Sequence, residues 1–167
     1  NIEDSMTFSE GAHRLTASST NPIIFTGSFT AGIGFTGNAF GTTFHNSVIF
    51  NSGSTYIYMA GANPFGADPP NSVVVFEPGS LYSHKGSGSP SFSGRTYADF
   101  ELDYNGPITP IGSSKVSIDN LTVKHGTLNF NTTGTPGHSI KGNINVHSEA
   151  TLNFNPGSAG TVSLNGA

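Results

Sequence analysis

The sequence predicts an all-β chain wound as a parallel β-helix, a β-solenoid with coils of about 23–26 residues. Three observations carry that expectation. Thr-Leu-Asn-Phe occurs at Thr127–Phe130 and again at Thr151–Phe154, 24 residues later. Upstream, Phe50, Gly53, Ser54 and Tyr56 map onto Phe76, Gly79, Ser80 and Tyr82, each displaced by 26. The third is composition. Only 10% of residues are charged, against about 25% in ordinary domains. Gly, Ser, Thr and Asn fill the polar positions, and β-branched and aromatic residues alternate with them as strands require.

The elements follow in order. Met6–Leu15 alternates on both sides of Gly11, and Asn21-Pro22 punctuates before Ile23–Phe29. Gly32–Gly41 is a Gly-rich run with Phe35, Phe40 and Phe44 interleaved. Val48–Tyr58 and Val74–Tyr82 are the related pair, separated by Ala62–Pro70, a loop because it holds three prolines. Lys85–Ser93 is a second loop, Tyr97–Tyr104 a strand by strict alternation, and Asn105–Ser114 a turn carrying Pro107 and Pro110. Val116–Val123 opens the 24-residue unit, Thr132–His138 is its internal loop, Pro156–Gly160 closes the second copy, and Thr161–Asn165 begins another strand. One strand per unit gives starts near Ile23, Val48, Val73, Ala98, Leu121 and Ile144, with steps of 25, 25, 25, 23 and 23.

Inward Val, Ile, Leu and Phe would stack from coil to coil at ~4.8 Å, so seven coils would make a rod of roughly 30–35 Å. Thirteen Phe imply a wide cross-section or aromatic columns along the axis. Gly53, Gly79 and Gly126 sit where turns demand a conformation that side chains resist. The alternative is a β-sandwich of tandem hairpins, which would also yield a 26-residue identity. Parallel stacking is preferred because Asn-Gly hairpin turns occur only at Asn105-Gly106 and Asn165-Gly166. Residues 1–167 then form a single solenoid domain, expected to be a segment of a longer surface protein. Its open ends are expected to meet neighbouring β-solenoid segments or subunits. The irregular stretches Gly32–Phe44, Ala62–Pro70 and Lys85–Ser93 are expected to project from the rod.

Net charge is −4 with six Lys and Arg, which leaves no basic footprint for nucleic acid. No apolar stretch approaches the ~18–20 residues that span a bilayer as a helix. There is no Cys, so no disulfide framework holds the fold.

Asp119–Phe130 with Asn143–Phe154 resembles the β-helix repeats of large secreted surface proteins of Bacteroidota and neighbouring phyla, many of them cargo of the type IX secretion system. Gly94–Phe100 and Gly160–Gly166 have the same character, and Asp4-Ser5-Met6 matches the short O-glycosylation pattern of that group. The resemblance spans roughly residues 48–167. It implies a parallel β-helix, export, and an extracellular or cell-surface location; it implies no substrate.

The sharpest constellation is Asp99, Glu101 and Asp103, which alternation places on one strand face, with Ala98, Phe100, Leu102 and Tyr104 on the other. Carboxylates ~7 Å apart along a strand suit Ca²⁺ binding or acid–base work on a polysaccharide. The preferred reading is a solvated face that discourages lateral aggregation. Arg95 and Lys115 are the cations expected to pair with them. The six His (13, 45, 84, 125, 138, 147) lack a tight metal-ligand spacing, although His125 and His147 fall near equivalent positions on adjacent coils. Gly32-Ile-Gly-Phe-Thr-Gly37 reads as Gly-x-Gly-x-x-Gly, but no helix pattern follows it, so the dinucleotide reading fails its context. No catalytic, cofactor or metal residue is therefore assigned. The expectation is a non-enzymatic structural or adhesive solenoid of the cell surface, with glycans as candidate partners. A carbohydrate-active or carbohydrate-binding β-helix is the alternative, and it would gather acidic and basic groups in a groove on one sheet.

Overall fold

The computed structural model describes residues 1–18, 20–110, 112, 114–130, 137–154 and 162–164. They form an all-β solenoid of about six turns, without helix and with parallel pairing throughout. In the first half of the chain each coil has two short strands at a corner, then a long return segment. The strands are β1 (Ser5–Phe8), β2 (Ile23–Phe25), β3 (Ser28–Ala31), β4 (Val48–Phe50), β5 (Thr55–Tyr58), β6 (Val74–Phe76) and β7 (Leu81–His84). β2, β4 and β6 stack as one sheet; β1, β3, β5 and β7 begin the other. The second half continues this larger sheet with β8 (Thr96–Ile108), β9 (Ser117–Phe130), β10 (His138–Ile140), β11 (Ile144–Val146), β12 (Ala150–Phe154) and β13 (Val162–Leu164).

Register confirms the internal relations read from the sequence. Phe50 pairs with Phe76, Tyr56 with Tyr82, Thr127 with Thr151, and Phe130 with Phe154. The aromatic residues stack in columns because parallel in-register strands place equivalent side chains above one another. One column is Phe25–Phe50–Phe76–Tyr97, with centroid steps of 4.6, 5.2 and 5.9 Å and interplanar angles of 7°, 25° and 18°. A second is Phe29–Tyr56–Tyr82–Phe100, at 5.7, 5.2 and 5.5 Å. Rings of the two columns meet edge to face, as Phe50 and Tyr56 do at 89°. Such contacts contribute roughly 0.5–1.5 kcal/mol each beyond area burial. Gly53, Gly79 and Gly126 all have positive φ, as the turns require.

The even spacing of strand starts is corrected. Ile23 and Val48 are register partners, but the partner of Val48 is Val74, not Val73. Ala98, Leu121 and Ile144 lie in strands of the other sheet. The reason is a lost corner. Four residues, Asn51–Ser54, separate β4 from β5, whereas β8 runs unbroken, pairing Thr96 and Tyr97 with Ser117 and Ile118 and then Asp99 with Leu81. Asn105–Ser114 is also not a simple turn. β8 extends to Ile108, and register irregularities around Asp103 absorb the surplus residues. His138 begins β10 rather than ending a loop; the rest of Thr132–His138 up to Pro136, and Pro156–Gly160, lie outside the described residues. Val162–Leu164 is a strand as expected.

The irregular stretches turn part of their length inward, while Ile33 and Phe44 in the first of them are 74% and 39% exposed. Phe35, Phe40, Phe65 and Phe92 are all buried and close the third wall of the core. Phe40 touches the rings of Phe25, Phe29, Phe50 and Tyr56, and Phe92 those of Tyr97, Phe100 and Phe130. The local device is a repeated Asn-x-Phe-Gly. Asn38 Oδ1 accepts from the Phe40 N–H at 3.0 Å, and Asn63 Oδ1 from the Phe65 N–H at 3.1 Å. Gly41 and Gly66 follow with φ of 77° and 70°. A Cβ on Gly66 would lie 2.1 Å from the Gly41 carbonyl oxygen, so the coils interlock there backbone to backbone.

His84 is fully buried in this aromatic interior, stacked on Tyr58 at 4.7 Å, with Nε2 donating to the Gly88 carbonyl at 2.6 Å. Burial pushes its pKa down to about 4, against the opposing pull of the Gly88 and Gly86 backbone contacts. The unfolded chain therefore takes up a proton between pH 6.5 and 4 that the native chain refuses. This contribution to stability is complete above about pH 6.5 and is lost as pH falls toward 4, a change of about 3 kcal/mol. Urea unfolding at pH 7.5 and 4.5 is expected to show that loss, and the His84→Phe variant is expected to lose correspondingly less over the same interval. Equal losses in both proteins would refute the assignment.

Candidate functional site

The alternation of β8 places its three acids outward, as the sequence implies, but on a sheet that already supplies each with a partner. Asp99 Oδ1 accepts from Asn120 Nδ2 at 2.7 Å. Glu101, only 7% exposed, accepts from Ser83 Oγ at 2.9 Å and pairs with Lys124 Nζ at 2.6 Å. Asp103 pairs with Lys85 at 2.7 Å and meets His125 Nδ1 at 2.6 Å. The Lys85 ammonium holds the Asp103 carboxyl below its usual range, with His125 adding to the effect. Glu101 in turn raises the Lys124 pKa. Glu101 and Asp103 are thereby laced to the coil before and the coil after, and Asp99 to the coil after. The expected pairing with Arg95 and Lys115 is corrected, since neither forms an ion pair among the described residues and Lys85, Lys124 and His125 take those places. Among the described residues no three His, Cys, Asp or Glu converge to hold a metal ion. The three carboxylates of the row turn to different neighbours.

Beside it, His125 and His147 line a shared cavity of ≈ 120 Å³ with Lys124, Ser148 and Glu149. They come together across adjacent coils because Val146, just before His147, pairs with Val123. Acidic and basic groups are thus gathered on one sheet, as the carbohydrate reading requires. Glu101 and Asp103 are neutralised by Lys124 and Lys85, and Asp99–Asp103 is not part of the cavity lining.

Comparison with family models, with curated proteins and with solved structures finds no match.

A second concavity is not legible as a site in the sequence. Two adjoining cavities of ≈ 230 and ≈ 480 Å³ share Pro70, Gly94, Arg95 and Thr96. Arg95 is 5% exposed. Its Cζ lies 4.7 Å from the Phe65 ring centroid, and its two terminal nitrogens donate to the carbonyls of Ala67 and Asn71. Its Nε reaches Ser91 Oγ at 3.5 Å. The guanidinium thus clamps the proline-rich return segment onto the next coil. Burial lowers its pKa. The sequence signal is the pair Gly94-Arg95 and its phasing against Asn63-Pro-Phe-Gly66, which becomes readable only once the register is known.

Proposed function

We propose that this chain is a non-enzymatic structural or adhesive solenoid of an extracellular or cell-surface assembly, whose open coil edge is met by a neighbouring β-solenoid segment or subunit. The observation that carries the reading is the first coil. β1 is bonded on one edge only, to β3, and no described strand pairs with its other edge. Met6 and Phe8, half-buried, head the columns that continue as Phe29–Tyr56 and Ala31–Tyr58. At the other end Val146, Phe154 and Leu164 are 41%, 42% and 62% exposed. An open parallel edge over an apolar surface is a template for another coil, and a head-to-tail contact of unlike ends propagates without closing. The resemblance to secreted surface repeats supports the extracellular setting, and the low charge and neutral polar exterior agree with it.

The test blocks the edge. The Asp4 and Phe8 carbonyls accept from Ser28 and Gly32, so alternation turns the Thr7 N–H to the open side. Thr7→Pro removes that donor while sparing the ladder to β3. Sedimentation velocity over a hundredfold concentration range is expected to show growing oligomers for the wild type, and a shift to monomer for Thr7→Pro and for the milder Thr7→Lys. A wild type that stays monomeric throughout contradicts the proposal.

A further inference from the structure

We infer that the groove at Arg95 and Lys115 is a binding site for an acidic polysaccharide segment, a function separate from end-to-end stacking.

The premise is an imbalance of charge. The chain has six Lys and Arg. Lys85, Lys124 and Lys141 each pair with a carboxylate. Of the other three, Arg95 and Lys115 line one cavity, and neither is in an ion pair among the described residues. A cation buried as deeply as Arg95 is costly without a compensating anion. Asp68, the acid whose charge Arg95 feels, forms no ion pair with it. A guanidinium has five N–H groups, and the three bonds to Ala67, Asn71 and Ser91 leave two for a ligand. Two donors in a planar fork suit a carboxylate or sulfate.

The shape selects the class of ligand. Asn46, Ser72, Thr96 and Ser117 line the two joined cavities. They belong to successive coils, since the Asn46 N–H donates to Ser72 O and Thr96 is in register with Ser117. Three coil steps make a groove roughly 14 Å long, parallel to the solenoid axis. Hydroxyl and amide groups and two cations line it beside an apolar wall of Phe65, Pro70, Val74, Val75 and Phe76, and the polar and cationic groups match a hydroxyl-rich chain bearing acid groups. A peptide would add to the edge of β6, whose Val74, Val75 and Phe76 line the groove, and would leave the two cations without a counter-charge. Nucleic acid would need a basic surface, and the chain carries −4.

The floor is rigid. Gly94 has φ +66°, and a Cβ there would lie 2.5 Å from Pro69 Cβ, so the return segment packs directly on the backbone beneath the groove. The walls are in place before any ligand arrives, which reduces the ordering cost of binding.

Arg95 also clamps the 62–72 segment, so its removal risks the fold. The test therefore rests on Lys115, which is exposed. Affinity electrophoresis of the folded chain in gels containing polygalacturonate, dextran sulfate or neutral dextran is expected to show retardation by one or both acidic polymers and none by dextran. Which polymer retards identifies the anion as carboxylate or sulfate. Lys115→Glu is expected to weaken retardation at least tenfold, while Lys141→Glu, at a cation already paired with Asp119 and outside the groove lining, leaves it within twofold. Rescue by Lys115→Arg separates a charge contact from a structural one. The inference is overturned if neither acidic polymer retards the wild type, if dextran retards it equally, or if Lys115→Glu and Lys141→Glu behave alike.

Discussion

Replacing Phe50 by alanine is expected to cost about 3–5 kcal/mol, measured by urea unfolding at neutral pH. Phe50 is fully buried, stacked on Phe25 at 4.6 Å and Phe76 at 5.2 Å and flanked by the edges of Phe40 and Tyr56. Its loss opens a void in the middle of a column that has no mobile neighbour to fill it. A solenoid is held by contacts between successive coils, so the damage is local. The coils before β5 are expected to unfold ahead of those after it, broadening the transition. Phe44→Ala is the control: that ring is 39% exposed, and its removal is expected to cost under ~1 kcal/mol. Similar losses for the two variants would mean the columns do not carry the stability assigned to them.

Gly126→Ala is expected to be among the most damaging single-methyl changes, at about 3 kcal/mol or more. Gly126 has φ +66°, and a Cβ would lie 2.2 Å from the Tyr104 carbonyl oxygen and 2.5 Å from that of Gly106. It sits where β9 rounds a corner against the register irregularity of β8, and backbone cannot yield there as a side chain would. Gly53 offers the comparison, with φ +83° and nothing within 4 Å of its Cβ. Gly53→Ala is expected to cost only the left-handed penalty of about 1–2 kcal/mol. The gap between the two measures the close approach alone, so equal costs would remove it from the account.

The in-register repeats are legible in the amino-acid sequence, because parallel stacking puts identical residues at equivalent positions of successive coils. Phe50 over Phe76 and Thr127 over Thr151 follow from spacing alone. The corners are less visible. Between Phe76 and Tyr82 the chain turns with Glu77–Ser80, while Tyr97 and Phe100 reach equivalent columns with two residues between them, so a fixed coil length misplaces Val73 and Ala98. The loop phenylalanines are harder still, because the Gly and Pro around them signal loops correctly but not their direction; the paired Asn-x-Phe-Gly at 38 and 63 is the cue that carries it. For the acids of β8, alternation gives the face but not the partners, since Lys85 lies 18 residues before Asp103 and Lys124 lies 23 after Glu101. The Arg95 groove depends on side chains from several coils, which no local pattern reveals.

The most direct test of the parallel in-register stack uses a chain that has no native cysteine. Ser28 faces Thr55 and Thr30 faces Ile57 across adjacent strands, at the ~4.8 Å spacing that a disulfide bridges. Ser28→Cys/Thr55→Cys and Thr30→Cys/Ile57→Cys are made as separate variants and oxidised under identical mild conditions. Both are expected to close an intramolecular disulfide and to keep the far-ultraviolet circular dichroism of the wild type. In an antiparallel hairpin, a register that joins one pair separates the other by about four residues, roughly 14 Å. Closure of one pair and not the other, or of neither, would contradict the solenoid.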